Sequence, residues 1–483
     1  MTNSDTPADT ASTSPPQAHA TAPAQFPAVG AGTRAGSMAE TGSISHGYVV
    51  GMFFLCFVFS YIDRQVVSIL VQPLKASLAL SDTQIGLLQG IAFTLCYATA
   101  GVFVARMVDR SNRVMLSAAC VAIWAISTAM CGTATSFGEL LVWRAGTAIA
   151  EAALSPAALS IFSDLFPPRK VARASSIFML GPYVGGGVAL LGGGALLGWM
   201  AAPDASAWLA RHELHPWQMV FFVLGLPGLV LAALVALTIK EPARRGVPVG
   251  ASEGAPPFQE VLRELFVRNR FCLPYFFGYV ALILLFYSHS AWFPTMIIRR
   301  FGLSASEVGK LAGPIYMVGG MAGVVSASFL VGKVSDAGAL RKVLRIAAWA
   351  ATLLIPVACA APLAPSLTLT LALYGLCAYA ASIVMALAPV PLQIAIPNRM
   401  RGRSLALLVF LTNAISGGLG PYAVGGINEW LADPHTGLAT ALAIVGTIAA
   451  ALSALLYWIA TRRAASMEPV IRTESVAAGR AAI

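Results

Sequence analysis

The sequence predicts an all-α membrane protein, with twelve transmembrane helices arranged as two pseudo-symmetric bundles of six. Three observations predict it. The first is composition: of 483 residues, 57% are hydrophobic and only 11% charged, whereas soluble domains carry about 25% charged residues. The second is spacing. Apolar runs lie near 47–75, 82–106, 113–134, 138–163, 172–200, 217–239, 272–298, 305–332, 341–362, 367–395, 403–430 and 436–461. At about 1.5 Å per residue they suit a hydrocarbon core of about 30 Å. The third is charge placement. Most of the 31 Lys and Arg fall in the two tails and in the even-numbered connections between spans; the other loops hold only Lys75, Arg211, Arg299, Arg300 and Lys310. The positive-inside rule then puts both termini in the cytoplasm.

Taken in order, residues 1–45 are rich in Ser, Thr, Ala and Pro, with Arg34 as the one basic residue and no apolar core. They read as a disordered cytoplasmic tail and not as a signal peptide, so the first span doubles as the insertion signal. Residues 46–240 form the first six-helix bundle. Ser81 and Ser304 stand before spans 2 and 8 as N-caps. A cytoplasmic linker follows at 241–270, where Phe258-Gln259-Glu260-Val261-Leu262-Arg263-Glu264-Leu265-Phe266 has the apolar spacing of a short amphipathic helix at the membrane interface. Residues 271–463 form the second bundle and 464–483 a cytoplasmic tail.

The halves repeat one another. Pro167-Pro168-Arg169 with Arg173 returns as Pro397-Asn398-Arg399 with Arg403, and Gly181-Pro182-Tyr183-Val184-Gly185-Gly186 returns as Gly420-Pro421-Tyr422-Ala423-Val424-Gly425-Gly426. Two such repeats imply a cavity near the midplane between them and alternating access by rocking. Trp143, Trp199, Trp217, Trp292, Trp430 and Trp458 lie near span ends and read as interfacial anchors.

Other classes are poorly served. The net charge of +10 is scattered one to three residues at a time, which is a topology signal and leaves no stripe for nucleic acid. All seven cysteines fall in apolar spans without a CxxC, so no disulfide framework or metal site is expected. His212-Glu213-Leu214-His215-Pro216 fails as a zinc motif, because the second histidine comes one residue early. No nucleophile–base motif supports an intramembrane enzyme, and no cofactor is expected.

Four charges stand inside spans 1 and 4: Asp63, Arg64, Arg144 and Glu151. A charge at the bilayer centre costs roughly 2.5–3.5 kcal/mol even on the lenient insertion scale, so each needs a partner, a wet cavity or a function. Arg144 and Glu151 are two helical turns apart and share a face, and the four sum to zero, as burial demands. A structural ion-pair network locking helices 1 and 4 is one reading. The other is proton coupling. Burial disfavours a charged carboxylate and an arginine beside it favours the charge, so a change in pairing becomes a proton switch. Being farther along the chain from an arginine, Glu151 is the first candidate proton carrier and Asp63 the second. Arg64 and Arg144 are candidate anchors for an anionic group. His289 in span 7 is a candidate lining residue.

Between spans 2 and 3, Ala105-Arg106-Met107-Val108-Asp109-Arg110-Ser111-Asn112-Arg113 resembles the signature of the major facilitator superfamily, with two glycines replaced; Gly332 and Asp336 repeat its spacing in the second half without the following arginine. The resemblance implies the major facilitator fold and a conformational latch at Asp109, Arg110, Arg113 and Asp336, in which the aspartate meets a helix N-terminus of the opposite half. Ser60-Tyr61-Ile62-Asp63-Arg64-Gln65, Ala150-Glu151-Ala152 with Pro156, Ser163-Asp164-Leu165-Phe166-Pro167 with Arg173, and Pro227-Gly228 leading to Glu241-Pro242 are similar to the spinster branch. That resemblance implies a proton-coupled transporter of lysophospholipid- or sphingoid-like amphiphiles, with Asp63, Glu151 and Arg144 linked to coupling and cavity polarity. The Tyr-x-Asp-Arg of helix 1 is shared with the anion:cation symporters, which carry small organic anions with protons. A non-transporting membrane sensor is a third reading. The expected partners are a small amphiphilic or anionic substrate, protons and the lipid bilayer. A monomer in the inner membrane is the expected form.

Overall fold

The structure, a computed structural model, describes residues 45–244, 257–332 and 338–481. Among the described residues, twelve helices are long and apolar enough to cross a membrane: α1 (His46–Leu78), α2 (Asp82–Arg110), α3 (Arg113–Cys131), α4 (Phe137–Leu165), α5 (Lys170–Met200), α6 (Pro216–Thr238), α7 (Cys272–Phe301), α8 (Ala305–Val331), α9 (Ala339–Leu363), α10 (Leu367–Ala395), α11 (Arg399–Leu431) and α12 (Gly437–Ala465). Helical backbone continues from α12 to Ala481.

Local chemistry sets the starts. Ser81 and Ser304 each cap a helix in a reciprocal box, with Gln84 and Glu307 returning a side-chain bond to the cap. Both therefore satisfy two of the orphan donors that every helix start leaves. Several helices are broken at matching places in the two halves. α4 is interrupted after Glu151 and resumes at Leu154, and α10 is interrupted after Leu387, ahead of Val390. α5 resumes at Gly181, ahead of Pro182, and its counterpart α11 passes through a π-helical turn at Thr412–Gly417. Such breaks are tolerated in a membrane only where protein or a wet cavity satisfies the freed backbone.

The two ends of the bundle differ. The links between the halves run from the level of Gln65 on α1 towards the end remote from the chain termini, called here the distal end. Gln65 Nε2 donates to the Ser290 carbonyl at 2.6 Å, Gln65 Oε1 accepts from the Ser290 hydroxyl, and Thr295 Oγ1 donates to the Ser68 carbonyl at 2.8 Å. Asp82, at the distal start of α2, gathers donors from both halves. Lys75 Nζ lies 2.7 Å from Oδ1, Arg299 holds both oxygens at 2.7 and 2.9 Å, and Asn428 Nδ2 lies 2.6 Å from Oδ2.

Between α5 and α8 the halves interlock through two reciprocal contacts. A Cβ on Gly186 would strike the ring of Tyr316, and a Cβ on Gly320 would strike the ring of Tyr183. Each ring thus occupies the space that a glycine of the opposite half leaves, with the two rings 6.4 Å apart.

At the other end, Phe258–Arg263 is helical and passes into a π-helical turn at Glu264–Arg268, with Val261 and Leu265 buried and Arg263 and Arg268 exposed. Two of the tryptophans expected at the interface are instead core residues. Trp217 and Trp292 are fully buried, and Trp292 Nε1 donates to the Pro421 carbonyl at 2.8 Å. Position near a span end gives depth along the membrane normal and not the direction the ring faces, which in these two is inward. Trp199 and Trp430 are exposed.

Candidate functional site

The four intramembrane charges meet as two crossed ion pairs. Arg64 Nε lies 2.6 Å from Glu151 Oε2, and Arg144 Nη1 lies 2.7 Å from Asp63 Oδ2. This corrects one step of the sequence reasoning. Glu151 is not remote from an arginine, and Asp63 is not held by its neighbour Arg64. Successive residues on a helix point about 100° apart, so Asp63 and Arg64 cannot serve the same partner. Each turns to a different residue on the shared face of α4.

The pairs differ in setting. Asp63 is fully enclosed, its second oxygen taking a hydrogen bond from Thr128 Oγ1 at 3.0 Å. Glu151 has one oxygen on Arg64 and the other buried without a partner. It sits at the break of α4, with no side-chain exposure, while Arg64 keeps 16% of its side chain open. The Arg64 guanidinium lies 4.5 Å from the ring centre of Tyr97, 4.8 Å from Phe93 and 5.3 Å from Tyr61, and the Arg144 guanidinium lies 5.0 Å from Phe93. An aromatic face is worth up to about 2 kcal/mol to a desolvated cation, so these rings help to hold the arginines in place.

The open side of Arg64 faces a cavity of about 50 Å³ between the halves, lined by Tyr61, Gln65, Gln89, Phe93, Tyr287 and Ser290 among others. That space admits water, whereas ligand sites run to about 300–1,000 Å³. The conformation is therefore nearly closed around the charges.

The other sequence candidates lie apart. His289 is on α7 in the second half and lines a separate cavity of about 10 Å³, with Phe286 and Ser290 bordering both cavities. Asp109 and Arg110 are exposed at the end of α2 nearer the termini. The carbonyls of Val108, Asp109 and Ser111 accept from the Arg244 guanidinium. Arg113 is buried and engaged inside its own half, against Asp164 of α4 and, at 2.6 Å, Glu241 beyond α6. Arg113 thus ties α3, α4 and the linker together. Asp336 lies outside the described residues.

Sequence reasoning missed the Asp82 cluster, although the signal was present: Lys75 and Arg299 are among the few basic residues in loops otherwise poor in them. Gln65, Ser290 and Thr128 gave no signal, being uncharged in apolar runs.

Comparison with known proteins settles the family. Residues 53–421 match the family model described as the Major Facilitator Superfamily. The chain belongs to the Major Facilitator Superfamily. Within the superfamily it is 28% identical over 426 residues to an "MFS-type efflux pump" of Mycolicibacterium smegmatis, covering 86% of this chain and 92% of that protein. A galacturonate transporter of Dickeya chrysanthemi is 25% identical over 55% of this chain and 75% of its own. Among solved structures, a bacterial homologue of the human lysosomal transporter spinster, in an inward-facing and unoccupied conformation, has a TM-score of 0.71 and 27% identity, covering 86% of this chain and 97% of that one. The chain is thus a multi-pass, spinster-like transporter of this superfamily.

Proposed function

We propose that this chain is a proton-coupled secondary transporter that moves a lipid-like anionic amphiphile, of lysophospholipid or sphingoid type, by alternating access. The observation that carries the reading is the unequal environment of Glu151: one oxygen on Arg64, the other buried and unpartnered, with Arg64 the more exposed of the two arginines that line the cavity. An anionic group arriving on Arg64 competes for its guanidinium. Glu151 then loses its counter-charge in a buried site, where the protonated form is favoured. Anion binding and proton uptake become linked, while Asp63 keeps Arg144 and Thr128 as its partners. The basic loops support cytoplasmic termini by the positive-inside rule; on that reading the distal end is periplasmic and this conformation is sealed there. Asp109 and Arg110 then belong to a latch that engages in the opposite conformation. The long coverage of the spinster homologue supports the spinster-like reading, and it is that resemblance which implies an amphiphile.

A second reading has its own observation. The cavity carries amide and hydroxyl groups from Gln65, Ser68, Gln89, Thr94 and Ser290, which suit a small polyhydroxy acid such as the substrate named for the galacturonate transporter. Proteoliposome uptake of fluorescent lysophosphatidate and of labelled galacturonate, with and without an imposed pH gradient, separates the two. Under the proposal, wild type accumulates the lysolipid only with the gradient, and Glu151→Gln exchanges it without accumulating it. Gradient-driven accumulation by the Gln variant rejects Glu151 as the proton carrier.

A further inference from the structure

Among the buried polar atoms of the second half that have no partner, two lie on one cavity. His289 and Tyr374 are each 3% exposed, and both His289 Nε2 and the Tyr374 hydroxyl lack a hydrogen bond. Both residues line the same small cavity, with Phe286, Ser290 and Tyr316 on its other walls. A serine or threonine hydroxyl in a helix can turn onto a carbonyl of the preceding turn, but a ring nitrogen cannot: its lone pair is fixed in the ring plane. The rings are themselves held. His289 stacks on Phe293 at 5.8 Å, Phe293 on Tyr374 at 4.2 Å, and Tyr374 on Tyr316 at 6.3 Å between centres. Unsatisfied buried groups in rigid positions call for a physical reason.

The hydrogen-bond roles are constrained. His289 Nδ1 lies 3.1 Å from the Leu285 carbonyl. A carbonyl only accepts, so Nδ1 carries the ring proton and Nε2 is left as an acceptor. Any group satisfying Nε2 must donate, which rules out a carboxylate or phosphate oxygen. The Tyr374 hydroxyl can donate or accept. An alcohol hydroxyl meets both demands, donating to Nε2 and accepting from Tyr374. The cavity, about 10 Å³, is close to the space of a single oxygen-sized group. Phe286 and Ser290 border this cavity and the charged one, so a single molecule displacing Phe286 would reach both.

We propose that His289 and Tyr374 form a second substrate subsite, which takes an alcohol hydroxyl of the transported anion while Arg64 takes its charge, with Phe286 as the partition between the two. The subsite rests on the transport reading above and adds a chemical requirement, an anion that also carries a hydroxyl. The glycerol hydroxyl of a lysolipid and the ring hydroxyls of a sugar acid share that chemistry.

The test uses full-length protein, with binding read as ligand-induced thermal stabilisation in detergent and flux read in proteoliposomes. The probes are lysophosphatidate against its 2-deoxy analogue, and galacturonate against its 2-, 3- and 4-deoxy analogues. Wild type is expected to prefer the hydroxylated member of one series by about ten- to hundred-fold, the range set by leaving a buried polar group unpaired; the series that shows it identifies the source. In Tyr374→Phe and His289→Met that preference falls to near one. Tyr374→Phe removes only a hydroxyl that has no partner in the fold, so it keeps the test valid should the histidine variant misfold. Equal affinity within both series, no stabilisation by either, or an undiminished preference in Tyr374→Phe overturns the subsite. Equal affinities with flux still proton-driven remove the subsite alone. A hydroxyl preference in binding without proton-driven flux removes the transport reading alone.

Discussion

Adjacent in the chain, Asp63 and Arg64 serve different partners, and this crossing governs what single substitutions do. Arg144→Met leaves Asp63 enclosed with only Thr128 as a partner. Removing one member of a buried pair costs about 3–5 kcal/mol, whereas replacing both members by apolar groups is often close to neutral. Thermal unfolding in detergent is therefore expected to show Arg144→Met strongly destabilised and Asp63→Leu with Arg144→Met returning most of the loss. Glu151→Gln should be far milder, because the amide keeps the shape and its partner Arg64 retains aromatic faces and some water. The four charges were legible in the sequence because a charge in an apolar run stands out. Their pairing was not, since seven-residue spacing gives a shared face on α4 but not the partner across the gap, and the separation of successive residues around α1 was left unused.

At the level of helices, the reciprocal contact between α5 and α8 couples four residues into two tyrosine–glycine pairs. Gly320→Ala is expected to push the Tyr183 ring from its place and cost about 1–3 kcal/mol, as overpacking does. Tyr183→Ala in the same chain should relieve part of that cost, giving a non-additive double-mutant cycle in thermal unfolding. Additive losses would show that the ring has another place to go. The twelve spans, the N-caps Ser81 and Ser304 and the amphipathic segment were legible because hydropathy, cap residues and periodicity are local. The glycine-rich stretch of α5 does not tell which ring fills the space its glycines leave, because that partner lies in the other half of the chain.

For the whole molecule, the distal seal concentrates on Asp82, the one carboxylate bound by Lys75, Arg299 and Asn428. Asp82→Asn removes the charge that Arg299 grips with two bonds and should shift the population towards the conformation open at the distal end. A cysteine at Gln72, which borders the open distal pocket beside Asp82, should then react several-fold faster with a membrane-impermeant maleimide. Exchanging the charges as Asp82→Arg with Arg299→Asp should restore the slower rate more fully than either single change. Unchanged labelling in Asp82→Asn would place the seal elsewhere. The two six-helix halves could be read from the repeated motifs; which end is closed could not, because that depends on contacts between residues more than two hundred positions apart.

The crossed pairs of α1 and α4 also bear on energetics across the bilayer. The four side chains sum to zero before substrate arrives, and under the proposed exchange one anionic charge on Arg64 is matched by one proton on Glu151. A monoanion carried this way moves no net charge. Flux of such a substrate should follow the pH gradient and ignore an imposed potassium-diffusion potential, and a dianion should show voltage dependence where a monoanion shows none.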